Sequence, residues 1–288
     1  MSISVLVDMY GFRTVFNPEL GLIVLIAALV YWKYKGEEVS RRGIVCFMSG
    51  LLVLYFALGG PLNLLGHFWF SLHMLQQSFL YLVVPPLLFA GLPGRFYDAV
   101  QRYSVSRAIM GFIGHPIIAL FLFNGAFSFY HIPFLFEAAK SDYTFHTVLH
   151  ALLFAAAFGL WWPVFSPVGK KPLSSIQKIG YIFLNGLMLT PACALIIFAR
   201  EPLYGIYTGD VRLLCLPFYS VTASKPAFDI GWLTQLADQQ LGGVVMKIMQ
   251  EIAYGTVLGH VFFRWYRKER ADEPEDELAP GALPYSRG

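Results

Sequence analysis

Residues 145–165 read FHTVLHALLFAAAFGLWWPVF, an apolar run without Asp, Glu, Lys or Arg. A helix needs about 20 mostly apolar residues to cross the roughly 30 Å hydrocarbon core of a bilayer, so this run is long enough to span it. Six further mostly apolar runs occur, and the seven predicted spans are 17–34, 43–62, 69–92, 112–131, 145–165, 177–199 and 242–264. The sequence therefore predicts an all-α, polytopic membrane protein built as a bundle of seven transmembrane helices.

The composition of the 288-residue chain agrees with a bilayer environment. It is 57% hydrophobic and 14% charged, whereas soluble proteins average about 45–50% apolar and about 25% charged residues. This balance excludes soluble enzymes and DNA-binding modules. A formal net charge of +3 is too small to indicate a nucleic-acid partner, and the three cysteines form no CxxC pair or disulfide framework.

Lys and Arg residues are distributed unevenly between the two ends of the predicted spans. Fifteen of the 21 follow spans one, three, five and seven, and five lie in the segments on the other side. Positive charge resists translocation, so the N-terminus is predicted outside and the C-terminus in the cytoplasm. The predicted domains are an external segment (1–16), a transmembrane domain (17–264) with an external loop (200–241), and a cytoplasmic tail (265–288). The tail is acidic and Pro-rich and is predicted to be disordered.

Five of the seven histidines are predicted on the outer side of the bundle. They are His67, His73, His131, His146 and His150. The i,i+4 spacing of His146 and His150 places both rings on one helix face, which suits a single metal ion. Histidines near helix ends also serve simply as hydrogen-bonding groups, and this alternative stays open for any single pair.

A soft ligand follows one of these histidines. Met74 comes directly after His73, and a thioether beside imidazoles favours copper, especially Cu(I), over calcium or magnesium. Packing against lipid is the alternative role for Met74. The candidate metal ligands are thus His73, Met74, His146, His150, His67 and His131.

Other polar side chains lie inside predicted spans. Glu251 has Lys247 one turn before it, which is explained either by an intrahelical ion pair or by a metal or proton role. Asn124 and Asn185 are predicted to hydrogen-bond between helices.

Four segments carry a family resemblance. They are Ser71–Gln77 (SLHMLQQ), Val84–Pro93 (VPPLLFAGLP), Tyr130–Pro133 (YHIP) with the WWP at 161–163, and Asp238–Gly243 (DQQLGG). With these segments, the chain resembles the CtaG family of membrane assembly factors for caa(3)-type cytochrome c oxidase. The resemblance implies a seven-helix membrane protein that is needed to make an active oxidase and that handles copper for one of its metal centres, without catalytic turnover.

One position departs from the family pattern. The segment after His73 often carries a histidine one turn on, where this chain has Gln77. A carboxamide is a much poorer copper ligand, so His73 needs ligand partners from other helices. His146 and His150 are the predicted partners.

The leading hypothesis is a copper-binding assembly factor in the bacterial plasma membrane. It would accept Cu(I) from an external donor protein and pass it to the nascent oxidase. A metal-free structural chaperone, contacting oxidase subunits through its helices and the 200–241 loop, is the first alternative. A haem-binding protein using His73 and His150 is a weaker one, because no span shows two well-separated histidines. An enzyme is not expected, because the sequence shows no Ser-His-Asp arrangement, HExxH helix or phosphate loop.

Overall fold

The computed structural model describes residues 3–167, 172–208 and 233–272. All regular structure in those residues is helical, so the all-α class is confirmed for the described part of the chain. A π-helical turn (Phe79–Val83) joins α6 to α7, and a 3-10 turn (Gly205–Tyr207) follows α13. The α-helices are α1 (Ile3–Tyr10), α2 (Phe12–Phe16), α3 (Pro18–Tyr34), α4 (Arg41–Gly59), α5 (Pro61–Leu65), α6 (Phe70–Ser78), α7 (Val84–Gly91), α8 (Gly94–Arg102), α9 (Ser104–Ile113), α10 (Pro116–Tyr130), α11 (Pro133–Ser141), α12 (Tyr143–Phe165), α13 (Ser175–Ile197) and α14 (Gln235–Asp272).

Five helical stretches of the described residues are long and apolar enough to cross a membrane. They correspond to predicted spans one, two, three, five and six, and they are Phe12–Tyr34, Arg41–Gly59, Phe70–Gly91, Tyr143–Phe165 and Ser175–Ile197. Helices α9 and α10 form a sixth if this pair, bent by 68°, counts as one span. The predicted fourth span, 112–131, crosses that bend. Helix α10 alone has 15 residues, which is about 22 Å and short of a full bilayer core.

The predicted seventh span, 242–264, lies within α14, a continuous helix of 38 residues. This helix is not among the five apolar stretches, and it carries Lys247 and Glu251 inside the predicted span. The count of seven spans and the orientation of the termini stay predictions.

Helices lie across or beyond several of the predicted domain boundaries. The segment 1–16 contains the two short helices α1 and α2. Helix α14 begins within the predicted 200–241 loop and continues to Asp272, past the predicted start of the tail. Residues 209–232 of the loop and 273–288 of the tail lie outside the described residues.

The outer helices expose apolar side chains, and the inner ones bury polar groups. Helix α3 exposes Leu22, Ile23 and Leu29 by 58%, 61% and 62%, as expected of a helix that faces lipid. Helix α6 packs against α14, α4 against α7, and α10 against α12. The centre of the bundle is formed around α6, α7, α12 and α14.

Polar side chains join helices inside the bundle. Asn124 Nδ2 donates to Asn185 Oδ1 at 2.9 Å, which confirms the predicted hydrogen bond between helices. Lys247 Nζ lies 2.6 Å from Glu251 Oε1 and 2.9 Å from Thr190 Oγ1. The ion-pair explanation of Lys247 and Glu251 therefore agrees with the structure.

Candidate metal centre

Three histidines from two helices meet in the bundle. His73 lies on α6, and His146 and His150 lie on α12. One ring nitrogen of each lies within 4.8 Å of the corresponding nitrogens of the other two. The structure thus brings together the three residues for which the sequence predicted a shared site. We call them the histidine triad.

Two tyrosine hydroxyls contact the triad. The Tyr130 hydroxyl lies 3.0 Å from His150 Nε2 and 3.5 Å from His73 Nε2. The Tyr81 hydroxyl lies 3.1 Å from His150 Nδ1. With its proton on Nδ1, His150 donates to Tyr81 and keeps Nε2 unprotonated, which is the usual arrangement around a metal-binding histidine.

The remaining triad nitrogens differ in their contacts. Gln77 Nε2 lies 3.0 Å from His73 Nε2, so Gln77 contacts the triad from one turn further along α6. His146 Nε2 is buried and has no hydrogen-bond partner in the described part of the chain. A buried nitrogen without a partner costs free energy unless a ligand occupies its lone pair or accepts its proton.

A buried lysine adjoins the triad. Lys140, near the end of α11, is 1% exposed, and its Nζ lies 3.3 Å from His73 Nδ1. The ammonium group also lies 6.0 Å from the Phe136 ring centroid and 5.8 Å from that of Tyr207. Lys140 thus contacts one triad nitrogen and lies beside two aromatic rings.

The other sequence candidates occupy different places. The His67 ring centroid lies 5.9 Å from that of His146, and His67 Nδ1 has no hydrogen-bond partner among the residues described. His131 Nδ1 lies 2.8 Å from the Phe127 carbonyl oxygen. Met74 is fully buried, and its Cγ faces α14, 3.1 Å from where a Cβ on Gly242 would lie. His67 thus borders the triad, whereas the contacts of Met74 are with α14; ligand roles for both, and for His131, stay predictions.

Burial keeps the two flanking histidines uncharged. The pKa of His67 is held well below its usual 6.5 by burial and, less strongly, by Lys140. Burial lowers the pKa of His131 from 6.5 to about 4, although its hydrogen bond to Phe127 opposes this shift. Both rings are therefore neutral near pH 7, the form in which imidazole binds metals.

The Pro85-Pro86 pair helps to place Tyr81 beside the triad. A proline lacks the N–H that would bond the carbonyl four residues earlier, so Pro85 leaves the Tyr81 carbonyl free. The helix widens there into the π turn, and Trp161 Nε1 donates to the Tyr81 oxygen at 3.0 Å. The WWP segment thus anchors Tyr81 through a carbonyl that the VPP segment leaves free.

The DQQLGG segment holds α6 in place. Asp238 Oδ2 accepts from the Phe70 N–H at 2.7 Å, and Oδ1 accepts from the N–H and hydroxyl of Ser71 at 3.2 and 2.5 Å. No side chain of the preceding residue caps α6, so Asp238 caps it from α14. Gly242 allows α14 to approach α6 closely, because a Cβ at this position would lie 2.4 Å from Phe70 Cδ1. His73 lies one turn into the helix that these contacts position.

A short loop after α13 covers the triad region. Gln239 binds its backbone: Oε1 accepts from the N–H groups of Leu203 and Tyr204 at 2.7 and 3.3 Å, and Nε2 donates to the Tyr204 oxygen at 3.1 Å. The Tyr204 ring stacks on Phe70 with centroids 4.7 Å apart. Burial raises the pKa of Tyr204 and Tyr207, so both hydroxyls are protonated at physiological pH. The described part of the 200–241 loop therefore packs on the site.

Comparison with known proteins identifies the family. The sequence profile described as "Cytochrome c oxidase caa3 assembly factor" (Caa3_CtaG) matches residues 23–268. The chain belongs to the CtaG family. Membership confirms the resemblance drawn from the four segments. The apolar helices and the family together indicate a membrane protein.

More distant similarity extends to mycobacteria. Uncharacterised proteins of Mycobacterium bovis and Mycobacterium tuberculosis are each 20% identical over 277 residues, which cover 88% of this chain and 40% of the relative. One from Mycobacterium leprae is 19% identical over 260 residues, covering 85% and 37%. The chain thus spans about 40% of the length of these relatives. No solved structure matches it.

Sequence reasoning missed Lys140 as part of the site. It counted that residue only as a charge outside the bundle. The helical pattern contained a signal, because Lys140 lies four residues after Phe136 and next to Ala139, and α11 buries all three. Tyr81 and Tyr130 were also missed, since tyrosines are common at membrane interfaces and these two carry no distinctive spacing.

Proposed function

We propose that this CtaG family member binds copper at the histidine triad and delivers it to a copper centre of cytochrome c oxidase during assembly. The single observation that carries the proposal is the set of three ring nitrogens within 4.8 Å of one another. The protein would act in a bacterial plasma membrane as a multi-pass carrier, not as an enzyme. The copper ion is cargo and leaves with the oxidase.

The triad suits a small metal ion. Metal–imidazole bonds of about 2.0–2.1 Å around one ion place neighbouring nitrogens roughly 3.5 Å apart. The triad nitrogens reach that spacing through shifts of about 1 Å, within the range of side-chain rotation. The unpartnered Nε2 of His146 supports the presence of a ligand at this point.

Copper as Cu(I) is the favoured cargo. Imidazole suits copper, zinc, iron and nickel alike, and the family's link to cytochrome c oxidase, an enzyme that needs copper, favours copper among them. Three neutral ligands without a thiolate hold Cu(I) in a form that another protein can take, as delivery requires. An external donor protein would supply the ion, because the histidines are predicted at the outer ends of their helices.

A metal-free chaperone is the second candidate. The many hydrogen bonds of the triad with Tyr81, Tyr130 and Gln77 favour it, since they would give the histidines a purely structural role. A haem site is disfavoured by Tyr130, because its hydroxyl contacts the Nε2 atoms of both His73 and His150, where a porphyrin plane would have to lie.

Anaerobic titration of the purified chain with Cu(I), in competition with a chromophoric chelator, tests the proposal. We expect one tightly bound ion, and at least tenfold weaker binding after His73→Ala, His146→Ala or His150→Ala. His260→Ala on α14 is the matched control, because that side chain is exposed, and its affinity should stay within twofold of the wild type. Zinc is measured in parallel.

Two outcomes would decide against copper delivery. Binding that ignores all three triad substitutions would exclude the site. Full oxidase activity in cells that carry the triple alanine variant would favour the metal-free chaperone. A Soret band in the spectrum of the purified protein would instead favour haem.

A further inference from the structure

His67 and His146 place two ring nitrogens without hydrogen-bond partners on neighbouring side chains. The atoms are Nδ1 of His67 and Nε2 of His146, and both are buried and unpaired within the described ranges. A buried polar atom without a partner costs free energy, so two of them on adjacent rings call for a common explanation. Neither nitrogen has to break a hydrogen bond in order to bind an ion.

The spacing of these two rings fits one ion between them. A metal–imidazole bond of about 2.0 Å places the ion about 3 Å from the ring centre, so two rings on opposite sides of an ion have centroids about 6 Å apart. The centroids of His67 and His146 are 5.9 Å apart. Cu(I) accepts two ligands on opposite sides, so the two imidazoles suffice. We call these residues the histidine pair.

The histidine pair and the triad are two positions and not one four-ligand site. His67 lies outside the set of nitrogens that are all within 4.8 Å of one another. His146 is common to both positions, because its ring centroid also lies 4.2 Å from that of His150 and 6.3 Å from that of His73. An ion that moves from one position to the other therefore keeps His146 as a ligand.

The histidine pair lies closer to the helix ends than the other two triad residues. His67 precedes α6, and His146 lies in the first turn of α12. His150 is one turn further along α12, which is about 6 Å deeper. His73 lies within α6 and is fully buried. An ion that approaches from this end of the bundle thus meets the histidine pair before it meets the complete triad.

We propose that the histidine pair is a second ion-binding position, through which the cargo ion enters and leaves the triad. The inference rests on the proposed copper function. In the transfer step the bond from the ion to His67 Nδ1 breaks, bonds to His73 and His150 form, and the bond to His146 persists. No electron or proton is transferred, because each bond uses the lone pair of a neutral imidazole.

The first measurement tests whether the histidine pair binds an ion by itself. The purified full-length chain carrying His73→Gln and His150→Gln is titrated with Ag(I), a redox-inert stand-in for Cu(I). We expect one weakly bound ion, and an affinity lower by about tenfold or more when His67→Phe is added. Phe keeps a ring and removes both nitrogens. Adding His260→Ala instead is the control, because that side chain is exposed on α14, and it should leave the affinity unchanged.

The second measurement keeps the triad intact and follows the rates of Ag(I) transfer from a chelator and back to it by stopped flow. An intermediate position affects both directions, so His67→Phe and His67→Asn should slow loading and release on the order of tenfold. The equilibrium affinity should stay within about twofold of the wild type. A thioether also binds soft ions, so His67→Met should restore both rates. Thermal unfolding shows which variants are folded.

The outcomes separate this inference from the proposed function. If the wild type binds Ag(I) through the triad, and folded His67→Phe or His67→Asn chains load at the wild-type rate, the inference falls and the copper site stands. If these variants bind more weakly at an unchanged loading rate, His67 is a fourth ligand of a single site, and the inference also falls. Ag(I) binding to the His73→Gln, His150→Gln chain that ignores His67→Phe has the same consequence. A wild type that binds no Ag(I) defeats the proposed function and the inference together.

Discussion

Replacing Asp238 by Asn tests whether α14 holds α6, the helix that carries His73, in place. The carboxylate accepts three hydrogen bonds from the start of α6, through Phe70 and Ser71. An amide keeps the shape but presents an NH₂ group where one oxygen stood, so at least one N–H donor of α6 loses its acceptor. His73, one turn further on, depends on this anchor.

The expected loss follows from the energies of such bonds. Hydrogen bonds to a charged group contribute about 1.5–3 kcal/mol each. Burial raises the pKa of Asp238, which shows that burying its charge is itself unfavourable, so the neutral amide recovers part of the loss. We expect a net destabilisation of about 1–3 kcal/mol, which lowers the unfolding temperature by roughly 2–12 °C.

The assay is thermal unfolding in detergent, followed by tryptophan fluorescence, together with Cu(I) affinity. Asp142→Asn is the matched control: Asp142 caps α12 from an exposed position, through the Phe145 N–H at 2.7 Å, and Asn caps a helix equally well. The reasoning is refuted if Asp238→Asn unfolds no earlier than Asp142→Asn, or if it unfolds earlier with unchanged copper affinity.

Three further predictions concern single positions. Trp161→Phe should destabilise the protein by about 1–3 kcal/mol and weaken copper binding, because it leaves the Tyr81 carbonyl without its donor; thermal unfolding and Cu(I) titration measure this. Gly242→Ala should cost about 1–3 kcal/mol in thermal unfolding through overpacking, whereas Gly255→Ala on the same helix, with open space around it, should be neutral or stabilising. The pKa of His131 is about 4 in the folded protein and 6.5 in the unfolded chain. The stability that the neutral His131 ring contributes is therefore complete above pH 6.5 and is lost as pH falls towards 4. Between pH 7.5 and 4.5, the free energy of unfolding of His131→Gln, measured by thermal unfolding, should therefore fall by about 2–3 kcal/mol less than that of the wild type.

Each of these has a contrary result. Equal unfolding temperatures for Trp161→Phe and the wild type would mean that the Tyr81 carbonyl finds another donor. Equal effects at the two glycines would show that α6 and α14 adjust freely at their contact. A His131→Gln variant as acid-sensitive as the wild type would assign the acid sensitivity to the other buried histidines.

The helices were largely predictable, because apolar run length is a local property. Five predicted spans correspond to apolar helices, and the all-α class holds for the described residues. The predicted span at 112–131 crosses a bend, because a new helix begins at Pro116. The number of apolar residues in a run contains no information about a change in helix direction. The continuous α14 was cut short at both ends, because its polar residues interrupt the apolar pattern without breaking the helix.

The candidate site was predictable in part. The i,i+4 spacing of His146 and His150 placed both on one face of α12, and the family pattern at Gln77 directed attention to them as partners for His73. Nothing local indicated that Tyr130 would contact two of the three rings, because the residues beside it, Phe129 and His131, give no information about α6 and α12.

By itself, the sequence determined the helical, membrane-type character of this protein and the family to which it belongs. These follow from run length, periodicity and short motifs, all of which are properties of neighbouring residues. Only the tertiary structure decided that Lys140 contacts His73, 67 residues away, and that Asp238 caps a helix 168 residues before it. Such contacts depend on how helices pack against one another, and residue spacing along one helix carries no information about the side chains of another.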